Sequence, residues 1–270
     1  MIRVLCPTDF SDTADMAIAY AAALSKKVGA ELTLFNVQSI LSLPPEEIIK
    51  GKYLAIEPIL EKLEEQCYQV MEMFKITCVA EVQPWNGLLI DILAKRSSGF
   101  DLLIMGTNGA DDYYEYFFGS RSYQVASETS IPVLLIPTGC SYKDISTIVY
   151  AFDYEHAQLL PVIQLSKWAK LLEAKVTVLQ VKKHYSREDE TYSKEVEERI
   201  VNSHELPDVL FDTIYDDDAP SSIHNYFTKN EYDVLSLCSI QHSFITNLFH
   251  KSLVRTLSSA LDYPLFIFHE

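Results

Sequence analysis

Residues 101–122 read DLLIMGTNGADDYYEYFFGSRS, and the whole chain is interpreted outward from them. The run DLLIM, from Asp101 to Met105, is short and apolar, the mark of a strand buried on both faces of a parallel sheet. It breaks into Gly106, then Gly109, and after nine further residues reaches Gly119-Ser120, where a helix is expected to open. Glycine tolerates positive φ and lets a ligand approach bare backbone. A helix that begins at Ser120 presents unpaired N–H groups and the positive end of its dipole, together an anion site. Ser120 and Ser122 add hydroxyl donors at the same place. Two readings stand at this point: a phosphate cradle, or a tight turn that needs glycine for its own geometry.

Strand and helix patterns alternate on either side. Ile2 to Cys6 reads as a strand, stopped by Pro7-Thr8-Asp9-Phe10-Ser11. Ser11 is placed to cap a helix from about Asp12 to Val28, with Met16, Ala17, Tyr20, Ala21, Leu24 and Val28 as its apolar stripe and Gly29 as its stop. Glu31 to Val37 is a second strand. After Pro44-Pro45 a helical pattern runs to about Phe74, with Ile48, Ile49, Ile56, Ile59, Leu60, Leu63, Cys67, Val70 and Phe74 at helical spacing. A third strand is expected near Ile76 to Val82. Pro84-Trp85-Asn86-Gly87 then reads as a turn into a helix ending near Ser98-Gly99. Ile131 to Pro137, IPVLLIP, closes the series. Five such alternations predict an α/β fold, a parallel sheet covered by helices on both faces.

Beyond Gly139 the pattern starts again. AKVTVLQV (Ala174 to Val181) repeats AELTLFNV (Ala30 to Val37) at a shift of 144 residues, while YPLFIF (Tyr263 to Phe268) repeats IPVLLI at a shift of 132. The 12 missing residues fall between the second and third strands. Agreement in motif and register predicts a tandem duplication, with domains at 1–140 and 141–270. The second copy loses the glycines: Cys238, Gln241 and Lys251 stand where the first has Gly106, Gly109 and Gly119. Only Ser120 keeps its type, as Ser252. Asp153 stands opposite Asp9 and is read as structural.

Composition bounds the function. The net charge of −16 and sequence pI near 4.8 have the wrong sign for a nucleic-acid binder. Five cysteines without a CxxC pair point to free thiols in a reducing cytoplasm. No apolar run approaches the roughly 18 residues that span a membrane, and the N-terminus reads as a strand and not as a signal peptide. The seven histidines all lie in the second half, without metal spacing. Asp216-Asp217-Asp218 precedes a helix and reads as a solvated N-terminal turn, not a metal cluster. Tyr113, Tyr114, Tyr116, Phe117 and Phe118 read either as a ligand lid or as a packing surface. No hydrolase elbow, phosphate-binding lysine loop or Ser/His/Asp set is present, so no catalytic residues are assigned.

The pattern G-x2-G-x9-G-[ST], met by Gly106, Gly109, Gly119 and Ser120, together with the opening VLCPTDFS (Val4 to Ser11), resembles the universal stress protein family in its tandem two-domain form. The resemblance covers essentially the whole chain. It implies two tandem, doubly wound, Rossmann-like five-stranded sheets of strand order 3-2-1-4-5, with ligands over the carboxyl ends of strands 1 and 4, as the switch-point rule also expects. It further implies an adenine nucleotide, ATP foremost. Pro7 and Asp9 would lie by the adenosine, and Val37 would meet the adenine edge with its backbone. Met105, Gly106 and Gly109 would surround the ribose and inner phosphate, and Asn108 would face the phosphates. Gly119, Ser120, Arg121 and Ser122 would hold the outer phosphates. Paired subunits in this family often meet through their last strands, which makes the chain an expected intramolecular pseudo-dimer and allows a homodimer of chains.

The insert ADDYYEYFF departs from this pattern. Asp111, Asp112 and Glu115 repel a triphosphate, and Arg121 is the only cation nearby in the sequence. The site then takes a less charged nucleotide, needs Mg²⁺, or stays empty. The functional expectations are a nucleotide-binding regulatory module with at most slow, incidental ATP hydrolysis; a scaffold acting through unknown protein partners; or an enzyme of the broader adenine-nucleotide fold group.

Overall fold

The computed structural model describes residues 1–39, 45–46, 56–85, 87–107, 120–152, 159–185, 187–203, 206, 208–239 and 263–269. The described residues through Tyr142 form one compact unit and those from Lys143 onward a second. Unit 1 runs β1 (Arg3–Pro7), α1 (Asp12–Val28), β2 (Glu31–Ser39), α2 (Glu57–Phe74), β3 (Cys78–Trp85), α3 (Leu89–Ser97), β4 (Leu102–Gly106), α4 (Ser120–Glu128) and β5 (Val133–Ile136). Unit 2 runs β6 (Thr147–Ala151), α5 (Leu159–Leu172), β7 (Lys175–Lys182), α6 (Arg187–Asn202), β8 (Leu210–Tyr215), α7 (Ala219–Lys229), β9 (Val234–Ser239) and β10 (Leu265–His269).

In unit 1 the strands lie side by side as β3-β2-β1-β4-β5, and in unit 2 as β8-β7-β6-β9-β10. Every pairing within a unit is parallel. Right-handed crossovers place the helices that lead outward on one side of β1 on one face, and those that lead outward on the other side on the opposite face. The contacts agree, with α1 against α2 and α3 against α4. Strands covered on both faces must be apolar throughout, and Leu102 to Met105 and Val133 to Ile136 are buried along their whole length.

Local chemistry explains the boundaries. Ser11 Oγ accepts from Ala14 N at 3.2 Å, and Gly29 ends α1 in the left-handed region at φ 67°. β3 lies two residues later than expected at its start and three at its end. Its pairing with β2 continues through Gln38–Pro84 and Ser39–Trp85, where a turn was anticipated. β3 is an outer strand, and there a proline costs no ladder bond. α2 begins at Glu57, while Ile48 and Ile49 of its expected pattern lie outside the described residues.

The repeat is visible strand by strand. β1 and β2 map onto β6 and β7 at a shift of 144, and β3, β4 and β5 map onto β8, β9 and β10 at a shift of 132. A small clasp is duplicated with them. Asp101 Oδ2 accepts from Arg3 N at 2.8 Å. In the second copy Asp233 Oδ2 accepts from the backbone N–H and the hydroxyl of both Ser146 and Thr147, each at 2.9 Å. Each clasp ties the start of a fourth strand to the start of the first. Burial pushes the Asp233 carboxyl up, but these donors together outweigh it and hold it below the ordinary carboxylate range.

Candidate functional site

The strand order reverses between β1 and β4, which pair in parallel, so their carboxyl ends share one edge of the sheet. The β1–α1 turn has a fixed shape. Thr8 N donates to Phe35 O (2.9 Å), Phe10 N to Thr8 Oγ1 (3.0 Å) and Ser11 N to Asp9 Oδ1 (3.0 Å). Phe10 is held at φ 64°, a left-handed conformation unusual for a bulky residue. Pro7 closes β1 and Asp9 is exposed on the turn, while Val37 lies in β2, half-buried and paired with Gln83.

Asn36 belongs to this corner, although sequence reasoning did not select it. Its Nδ2 donates to Thr8 O at 2.8 Å, and its buried Oδ1 has no hydrogen-bond partner among the described residues. The signal was one amide inside the otherwise apolar stretch LFNV. A second cation also arrives from a distance, because Lys62 on α2 places its Nζ 4.1 Å from the centroid of the Phe10 ring. Lys62 thus brings a positive charge to the β1–α1 turn from a distant part of the chain. Gln66, also on α2, donates to Asp15 Oδ1 at 2.8 Å.

The β4 side carries the glycines. Met105 and Gly106 end β4. A Cβ at Gly106 would stand 2.7 Å from Thr13 Cγ2 and 3.1 Å from Thr13 O, so the residue is glycine because α1 passes directly over it. Ser122 is buried on α4, and its hydroxyl donates to Gly106 O at 2.9 Å. This hydroxyl ties α4 to the end of β4. Ser120 and Arg121 lie in the first turn of α4. Asn108, Gly109 and Gly119 lie outside the described residues, as do Asp111, Asp112, Glu115 and the aromatic run from Tyr113 to Phe118.

Two helix N-termini flank this corner, and their sequences differ in kind. The first turn of α1 holds Asp12 and Asp15, so that dipole end already has anionic partners within the chain. The first turn of α4 contains no acidic residue. In unit 2 the position of Gly106 is taken by Cys238, which is buried in β9. Asp153, Gln241, Lys251 and Ser252 lie outside the described residues. Asp216–Asp218 do serve a helix start: Asp218 caps α7 by accepting from Ser221 N, and Asp216 accepts from Ser222 Oγ at 2.7 Å. The backbone N–H of Asp218 and that hydroxyl hold the Asp216 carboxyl below its ordinary range. No group of three or more metal-ligating side chains is found among the described residues.

The profile of the universal stress protein family matches residues 1–137. The chain belongs to the universal stress protein family. It is 25% identical over 153 residues to universal stress protein MJ0577 of Methanocaldococcus jannaschii, covering 50% of this chain and 93% of that one. A universal stress protein from Archaeoglobus fulgidus superposes on 99% of this chain and 96% of its own, with TM-score 0.71 and 15% identity. A functionally unknown protein from Pseudomonas aeruginosa does so over 99% and 92%, with TM-score 0.58 and 12% identity. Both likenesses extend over nearly the whole chain and concern the fold, while the family profile itself covers the first unit. Among the described residues, no helix of this universal stress protein is long and apolar enough to cross a membrane.

Proposed function

We propose that the N-terminal unit binds an adenine nucleotide, ATP foremost, over the carboxyl ends of β1 and β4, and that occupancy regulates a stress response. The observation that carries this reading is the contrast between the two helix starts at the switch point. α1 supplies its own anions, whereas α4 opens without one, directly after the glycine-rich segment. In this reading Gly119, Ser120 and Arg121 receive the outer phosphates, Met105, Gly106, Asn108 and Gly109 flank the inner phosphate and ribose, and Pro7, Asp9 and Val37 bound the nucleoside. Ser122 acts by fixing α4 on Gly106. Mg²⁺ would offset the repulsion between the phosphates and the acidic insert.

The C-terminal unit acts in this reading as a degenerate, built-in pseudo-dimer partner. Its Cys238 fills the position that the first copy keeps free of a side chain. Five free cysteines fit action in a reducing compartment, the cytoplasm. The test is calorimetry with Mg-ATP on the full chain, stripped of co-purified nucleotide, and on Gly119→Glu. Heat from the wild type alone supports the site; no heat and no thermal shift at millimolar ligand removes the nucleotide from the account.

One observation favours a second reading, a scaffold that works through protein contacts. Gly106 and Ser122 both have structural partners in the chain, Thr13 and the Gly106 carbonyl, that explain them without a ligand.

A further inference from the structure

Three of the five cysteines lie in the layer between the unit 1 sheet and its helices: Cys6 on β1, Cys67 on α2 and Cys78 at the start of β3. Two of them touch. Cys78 Sγ donates to Cys67 Sγ at 3.3 Å, and both side chains are nearly covered, at 4% exposure for Cys67 and 8% for Cys78. A buried cysteine usually serves as a small apolar residue. Two in sulfur–sulfur contact, on different elements, are also set for a bond about 1 Å shorter than their present separation.

We propose that Cys67 and Cys78 form a peroxide-sensitive dithiol whose oxidation cross-links α2 to β3. The Cys67 thiolate attacks one oxygen of a hydroperoxide, and the O–O bond breaks. Cys67 becomes a sulfenic acid and the other oxygen leaves as water or alcohol. The Cys78 sulfur then attacks Cys67 Sγ and expels the second oxygen as water, so two thiols lose two protons and two electrons in all. The order of events follows from the contact. The Cys78 S–H points at Cys67, which favours the thiolate on Cys67 and disfavours it on Cys78. Cys6 is fully buried, and burial alone pushes its thiol up, so it stays reduced.

With 4% of Cys67 and 8% of Cys78 exposed, the oxidant of this dithiol must be small, a hydroperoxide and not a bulky disulfide. The cross-link joins mid-α2 to the outer strand of unit 1. Gln66, next to Cys67, and Lys62, on the preceding turn of α2, reach Asp15 and the Phe10 ring, so oxidation would immobilise the helix that bounds the β1–α1 turn.

The test is a thiol count in denaturant on the full chain after brief hydrogen peroxide treatment, with intact mass and a non-reducing peptide map. The expected result is a fall from five thiols to three, loss of the mass of two hydrogen atoms, and one linked peptide pair containing Cys67 and Cys78. Oxidised glutathione should leave Cys67 and Cys78 as thiols in the peptide map, whatever its exchange with the half-exposed Cys140, and Cys67→Ala should leave Cys78 as a thiol after peroxide. The proposal is overturned if five thiols remain, if the linked pair involves Cys6, if oxidised glutathione links Cys67 to Cys78 as well as peroxide does, or if Cys67 gains two oxygens while Cys78 is untouched. The wild-type peptide map decides the matter even if Cys67→Ala fails to fold.

Discussion

A Cβ built on Gly106 would lie 2.7 Å from the Cγ2 of Thr13, closer than side-chain carbons approach one another. The end of the fourth strand and the first turn of the first helix are therefore fitted to each other before any ligand is considered. Gly106→Ala should destabilise unit 1 by about 1–3 kcal/mol, the usual range for overpacking. Thr13→Ser removes the nearer atom but leaves Thr13 O at 3.1 Å, so the double variant should recover only part of the loss. Hydrogen exchange at the amides of α1 and β4 measures both.

Gly29 is glycine for a different reason. It sits at φ 67°, and a Cβ there meets nothing within 4 Å. Only the backbone conformation is at stake, so Gly29→Ala should cost about 1 kcal/mol and Gly29→Asn less, because asparagine enters the left-handed region more readily. At Gly106 the ranking should reverse, with asparagine worse than alanine. Thermal midpoints of the four single variants give the comparison.

The hydroxyl of Ser122 holds the Gly106 carbonyl at 2.9 Å. Ser122→Ala should cost about 1 kcal/mol without any nucleotide. It should also weaken Mg-ATP binding, because α4 loses its tie to β4. Calorimetry and thermal melts on one preparation separate the two effects. Weakened binding with unchanged stability would mean that the hydroxyl serves the ligand directly.

Asp233 sets a pH dependence with a definite sign. Its carboxyl is depressed in the folded state by the donors of Ser146 and Thr147. The stability it contributes is present above the unfolded carboxylate pKa of about 3.9 and is lost as pH falls through the lower folded value. Asp233→Asn should be about 1 kcal/mol less stable than wild type at neutral pH, a figure kept small by the partial solvent exposure of the group. The gap should close as pH drops below about 4. Hydrogen exchange of the β6 and β9 amides across an acid series provides the measurement.

Much of this was legible because it is local or periodic. Ser11 and Gly29 mark the ends of α1 by their own hydrogen bonding and backbone preference, and the duplicated strands repeat their residues in register. Pro84-Trp85 misled because a proline reads as a break unless the strand is known to be an outer one, and that is a property of the sheet. Thr13 over Gly106 and Lys62 over Phe10 join residues far apart in the chain, and the Cys67–Cys78 contact joins a helix to the strand that follows it, 11 residues on. Each depends on how helices settle on the sheet, which no spacing in the sequence encodes. Asn36 lies between these cases: its oddity was visible, its partner Thr8 was not.

The 12-residue difference between the copies falls entirely between the second and third strands, yet β7 and β8 still pair as β2 and β3 do. α2 and α6, with 18 and 16 residues, meet the same requirement by different lengths of chain. That connection is the seam where the architecture accepts added or removed chain. It is where a reporter domain or affinity tag could be spliced into either half while every strand keeps its neighbour.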